Sequence, residues 1–255
     1  MGGGGFTMEP GNPALDDYVR SLAPAREPRI CLLPTAGGDA EDQIHRFHQR
    51  FDRELCVPTH VSLFRLGTNP VPLREQLLAQ DVIYVGGGSM VNLIALWRAH
   101  GLDAILHEAW QAGIVLAGLS AGSMCWFEWG LTKSFGRPSL TRGLGFLPGS
   151  NSVHHDGEPE RRPRYLDAVG RGAVPPRVGC GRWGRAAVPG HPPDRGRRLA
   201  ARRAGVSRAC RGRRGGRGGD RAAVAQGAWS RSSRSNAGVE ELRALRAARR
   251  GWRGG

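Results

Sequence analysis

Short apolar runs alternate with segments of helical periodicity over the first half of the chain. Arg29-Ile30-Cys31-Leu32-Leu33 is an apolar run ended by Pro34, and His60-Val61-Ser62-Leu63-Phe64 is strand-like. Asp81-Val82-Ile83-Tyr84-Val85 is β-branched and stops at Gly86-Gly87-Gly88, and Ile114-Val115-Leu116-Ala117 reads as a buried strand. Between these runs, residues 40–51 place Ile44, Phe47 and Phe51 at roughly helical spacing, and helices are predicted over 72–79, 90–100 and 102–111. Pro72 suits a first helical turn, where its missing N–H leaves no bond unmade. Strands of four or five mostly apolar residues separated by helices predict an α/β fold, a three-layer sandwich around a mostly parallel sheet covered on both faces.

In such sheets, sites lie at the carboxyl ends of the strands. Three predicted strands end in small-residue turns there: Pro34–Asp39, Gly86-Gly87-Gly88-Ser89 and Gly118-Leu119-Ser120-Ala121-Gly122. The last follows a buried strand and precedes a helix-like run, Ser123 to Trp129, which is the context of a nucleophile elbow. A sharp turn of this kind needs small residues around the serine and presents its hydroxyl at a helix N-terminus, where developing negative charge is favoured. The Ala121 N–H is then one oxyanion donor, and Gly87 or Gly88 is the natural source of a second, with Ser89 beside it as a substrate contact. Donors of this type contribute roughly 3–4 kcal/mol each to transition-state stabilisation.

A nucleophilic serine needs a base. His154 and His155 follow the strand-like stretch Gly143–Pro148, which returns the chain to the same edge. Asp39 is placed to line the pocket, Arg137 and Arg142 are candidates for a substrate carboxylate, and Cys125 reads as a small buried hydrophobe.

Charge divides the chain. Residues 1–176 carry 16 basic and 18 acidic side chains, whereas residues 177–255 carry 21 Arg, no Lys and four acids, which accounts for the overall +15. The basic character therefore belongs to an Arg/Gly/Ala-rich tail, 177–255, too poor in apolar surface to offset its ordering entropy, and a disordered segment is predicted there. Such a tail binds phosphates without sequence preference, and its few tryptophans give little for base stacking. The five cysteines show no paired spacing, which argues against a zinc site or disulfide framework and fits a reducing cytoplasm. Neither a signal peptide nor a run of 18 apolar residues is found, so a membrane partner is not expected.

Several linked motifs carry a resemblance. Tyr84–Gly88, the stretch Leu93–Gly101, Ala117–Glu128, Gly143–Ser150 and His154-His155-Asp156-Gly157-Glu158 together resemble peptidase E, the alpha-aspartyl dipeptidase family of serine peptidases. The resemblance covers roughly residues 1–176. It implies a class I glutamine amidotransferase-like fold, Ser120 as nucleophile, His154 as general base, and an oxyanion hole from the Gly86–Gly88 turn and Ala121. It also implies cleavage of dipeptides after an N-terminal aspartate without a metal or other cofactor, by a monomer or homodimer. Three departures from the family pattern stand out. Lys133 occupies the stretch where relatives of this type carry an aspartate, leaving Glu128 and Asp156 as candidate acid partners, and loss of that partner costs on the order of 10⁴ in turnover. The resemblance places a first strand before the Gly2–Phe6 turn, and that strand is expected to be truncated. The tail matches nothing in the family and reads as a frameshift near residues 176–178, a reading that fails if neither other frame of the gene encodes apolar strands. A catalytically inactive relative, or a nucleic-acid binder acting through the tail, are the competing readings.

Overall fold

Four apolar runs form one parallel sheet in the computed structural model, which describes residues 1–9, 11–175 and the backbone of 178–179. These belong to the first of two units, Met1–Pro193; the second, Asp194–Gly255, lies outside the described residues, as does the predicted disordered tail 177–255 except for the backbone of 178–179, which forms a strand. The strands are β1 (Arg29–Leu33), β2 (Val57–His60), β3 (Val82–Val85) and β4 (Val115–Gly118), in the order β2-β1-β3-β4. Helices α1 (Gly5–Met8) and α2 (Ala14–Ser21) precede β1, α3 (Glu41–Arg50) joins β1 to β2, α4 (Leu73–Leu78) leads into β3, and α5 (Met90–Ala99) and α6 (Leu102–Gln111) lead into β4.

The two-residue period of the strands sorts their side chains into two cores. Cys31, Leu33, Ile83 and Val85 pack with Leu77, Leu93, Trp97 and Leu106 on one face. Ile30, Leu32, Val82 and Tyr84 pack with Phe6, Phe47 and Phe51 on the other, where Phe6 meets Phe47 and Tyr84 edge-on at 5.6 and 5.4 Å. This two-sided burial makes the strands continuously apolar in sequence and produces the α/β sandwich.

A short helix, α7 (Ala121–Met124), follows β4, and the chain then forms a second sheet. In it β5 (Phe127–Thr132) pairs antiparallel with β6 (Ser139–Arg142) and parallel with β7 (Leu147–Ser152), which pairs parallel with β8 (Val178–Gly179). Helix α8 (Arg161–Gly170) lies between β7 and β8 in sequence. Among the described residues no helix is long and apolar enough to cross a membrane.

Three predicted boundaries move. The strand expected over 60–64 is Val57–His60, with Leu32 opposite His60; β2 is an edge strand and so tolerates Pro58, which the apolar pattern discounts. Leu63–Arg65 is instead a 3₁₀ turn, fixed by Asp39, whose Oδ2 accepts from Ser62 Oγ at 2.6 Å and Phe64 N at 2.9 Å. The helix expected from Ser123 to Trp129 ends at Met124, because the aromatic-rich segment after it finds a strand partner. The strand expected over 143–148 begins at Leu147, since the N–H groups of Gly143, Leu144 and Gly145 donate to the carbonyls of Glu128, Cys125 and Phe127 in a turn.

Candidate active site

Ser120 sits between β4 and α7 with φ 53° and ψ −114°, a backbone conformation that costs a non-glycine residue energy. Its surroundings enforce it. A Cβ on Gly118 would lie 2.3 Å from the Gly122 carbonyl oxygen, and one on Gly122 would lie 2.3 Å from that of Val85. Only glycine permits this approach of the turn to itself and to β3. The N–H groups of Gly122 and Met124 donate back to Leu119 O and Ser120 O, and Ser120 N donates to Met1 O at 3.1 Å.

Ser120 Oγ lies 2.8 Å from His154 Nε2. His154 follows β7 and is itself held at φ 61°. Its carbonyl accepts from Gly157 N at 3.2 Å and Glu158 N at 2.9 Å, closing a tight turn. In the tautomer that leaves Nε2 unprotonated, the serine hydroxyl donates to it. The neighbouring His155 is directed elsewhere: its Nε2 is 2.9 Å from Ser152 Oγ. Burial, and then Arg161 and Arg162, push the His155 pKa down and favour its neutral form. Among the described residues the non-glycine positions with positive φ are Asp39, Ser120 and His154, and they follow β1, β4 and β7.

The remaining predicted residues divide. Gly87 is against Ser120, since a Cβ there would come within 3.3 Å of Ser120 Cβ and 2.7 Å of Leu119 Cδ1. Gly88, at φ 142°, lies so close to β1's exit loop that a Cβ would meet Ala36 O at 2.1 Å. Ala121 is the first residue of α7 and fully buried. Ser89 lines the pocket, but its Oγ caps α5 by accepting from Asn92 N at 3.2 Å and its N–H donates to Ala36 O. Asp39 is buried, with one carboxylate oxygen committed to the 3₁₀ turn. Glu128 Oε2 accepts from Gly149 N at 2.8 Å, near the start of β5 and β7, whereas His154 follows the other end of β7. Asp156 is exposed in the turn after His154. Arg142 stacks over the Trp129 ring at 4.5 Å and Arg137 is exposed; neither lines the pocket. Cys125 is fully buried, its thiol pKa raised well above the usual range by burial. Among the described residues no group of three or more His, Cys, Asp or Glu side chains is arranged to hold a metal ion.

The pocket in front of Ser120 and His154 has a volume of about 390 Å³. Its far wall carries Lys133, Glu158 and Arg161, of which Glu158 and Arg161 had no assigned role in the sequence. Lys133 Nζ lies 3.2 Å from Glu158 Oε2 and 3.1 Å from Glu160 Oε1, which push its pKa up. The one sequence signal for this wall was the i, i+3 spacing of Glu158 and Arg161 at a helix start.

Comparison with known proteins gives a consistent assignment. The model of peptidase family S51 matches residues 1–178. The uncharacterized peptidase YgaJ of Bacillus subtilis (strain 168) is 51% identical over 169 residues, covering 66% of this chain and 73% of its own length. The crystal structure of a peptidase from an acI-B1 actinobacterium aligns at TM-score 0.49 and 24% identity over 63% of this chain and 68% of its own. A protein assigned as peptidase E from Listeria monocytogenes EGD-e aligns at TM-score 0.46 and 16% identity over 60% of this chain and 80% of its own.

Proposed function

We propose that this chain, which belongs to peptidase family S51, is a serine-type peptidase that hydrolyses small peptides, with dipeptides carrying an N-terminal aspartate as its substrate class. The observation that carries the reading is the 2.8 Å contact between Ser120 Oγ and His154 Nε2, made by two residues that are both held in strained conformations at strand exits. Strain of this kind persists where the surrounding structure over-determines it, and it clusters at functional sites.

In this mechanism Ser120 Oγ attacks the carbonyl carbon of the scissile amide while His154 Nε2 takes its proton. The oxyanion that forms faces the N–H of Ala121 and the N–H groups of the Gly87-Gly88 turn. His154 then passes the proton to the departing amine as the C–N bond breaks. A water attacks the acyl-enzyme, His154 again serving as base, and the free carboxylate leaves with Ser120 restored. Lys133, on the pocket wall, supplies the cation for an acidic substrate side chain. The buried free thiols of Cys31, Cys56 and Cys125 fit a reducing, cytoplasmic setting, and action as a monomer or homodimer is part of the same proposal.

The test is hydrolysis of an Asp-X dipeptide by the full chain beside Ser120→Ala and His154→Ala, with an Ala-X dipeptide as control. Both variants are expected to lose at least about 10³-fold in kcat/KM. Equal rates for the wild type and Ser120→Ala remove Ser120 from the mechanism, and equal rates on Asp-X and Ala-X remove the acidic preference.

A further inference from the structure

The turn that presents His154 is not held by its own backbone alone. Arg161, the first residue of α8, is 3% exposed although it is an arginine. Its Nη1 donates to the carbonyl of Leu131 on β5 at 2.7 Å. Its Nε and Nη2 form a fork on the Glu158 carboxylate, with bonds of 3.2, 3.1 and 3.1 Å. Glu158 in turn donates its backbone N–H to the His154 carbonyl at 2.9 Å. Leu131 is the register partner of Ser152, two residues before His154. The guanidinium thus ties the far side of the His154 turn to the strand beside the one that delivers it.

We infer that Arg161 is a positioning residue for the general base: acting through Glu158, it holds His154 in its left-handed conformation with Nε2 on Ser120. The inference rests on the Ser120–His154 reading above. Three features support it. His154 at φ 61° would relax toward ordinary backbone if its turn were released. Nε, Nη1 and Nη2 each already hold a protein acceptor, so the guanidinium's main work is within the fold. The fork is a geometry that lysine does not reproduce, so the position demands arginine rather than positive charge. Lys133, bonded to the same Glu158 oxygen, limits the freedom of that carboxylate further.

The experiment measures the rate at which a small fluorophosphonate phosphonylates Ser120, the Oγ–P bond forming as fluoride leaves, followed by intact mass, in the full chain and in Glu158→Gln, Arg161→Lys and Arg161→Met. The probe needs the nucleophile and base but no peptide recognition. Displacement of the base by about 1 Å is expected to cost Arg161→Met on the order of 10²-fold in phosphonylation rate. Glu158→Gln, which keeps the side-chain shape in a less buried position, is expected to lose about tenfold, with Arg161→Lys between the two. Dipeptide kinetics should show the loss in kcat, with KM within about threefold of wild type. Thermal melts establish that the variants compared are folded, and Glu158→Gln carries the test if Arg161→Met does not fold. Folded variants that are phosphonylated within twofold of the wild-type rate, or that lose only in KM, overturn the inference and leave Ser120 chemistry intact. A wild type that is not phosphonylated at all overturns the hydrolase reading and this inference with it.

Discussion

Asp16 offers a quantitative test of how the layer under Phe6 is built. Its carboxyl is fully buried. Oδ1 accepts from Tyr84 OH at 3.1 Å, and Arg50 Nε lies 3.5 Å from Oδ2. Burial outweighs these partners and pushes the Asp16 pKa from 3.8 to about 6. The folded state therefore binds a proton at Asp16 more tightly than the unfolded chain does. Between pH 3.8 and about 6 the folded protein carries more protons at this site, so its stability falls as pH rises through that window. The contribution is fully present below the unfolded pKa and is lost above the folded one. A shift of this size corresponds to about 3 kcal/mol. Asp16→Asn keeps the shape and stays neutral, so it removes this one titration. Urea unfolding of both proteins at several pH values between 4 and 7 isolates it, because the other carboxylates cancel in the difference. The variant should gain on the wild type by about 2.4 kcal/mol from pH 4 to pH 7. A difference that stays flat to within about 0.5 kcal/mol across this range would refute the buried, desolvated carboxylate.

Other consequences follow from the same contacts. Tyr84→Phe removes the hydroxyl from Asp16 and should cost about 1–3 kcal/mol at pH 7, and less at pH 4.5, where the carboxyl is neutral; urea melts at the two pH values check it. Gly122→Ala drives a methyl into the Val85 carbonyl and should cost about 3 kcal/mol or more, read as a fall in melting temperature together with loss of Ser120 labelling. Cys125, five residues past Ser120, should resist alkylation in the folded protein, as mapped by peptide mass spectrometry, and Cys125→Ala should retain hydrolysis; loss of activity in that variant would point to a thiol rather than a hydroxyl nucleophile.

Much of the architecture is legible in residue order because burial on two faces leaves a strong mark. Val82-Ile83-Tyr84-Val85 is apolar at every position, and the fold divides it alternately between two cores. The elbow is legible for a steric reason: the glycines at 118 and 122 are imposed by approaches of 2.3 Å that no other residue survives. His154 is legible from its place after a strand. The misplaced boundaries share another cause. Pro58 is tolerated only because β2 is an edge, and Phe127–Thr132 becomes a strand only because β6 and β7 pair with it. Those facts belong to the assembled sheets rather than to any local window.

The pocket wall was legible least of all, and Lys133 shows why. By residue type alone, a lysine where an acid is expected reads as damage to a triad. In the folded chain it is bonded to Glu158 and Glu160, and Glu158 is bonded to Arg161. Two cations and two carboxylates therefore balance, and the wall's net charge is near zero despite its basic residues. If the wall receives an acidic substrate as proposed, selection depends on competition: the incoming carboxylate has to draw Lys133 away from Glu160, which is exposed and bonded to it at a single oxygen. Exposed pairs of that kind contribute little, so the exchange is inexpensive. The pair to Arg161 is nearly buried and bidentate, so it stays. On the proposed reading, Lys133 is the cation that can exchange partners for a substrate while Arg161 holds the His154 turn, a division of labour that follows from burial rather than from charge.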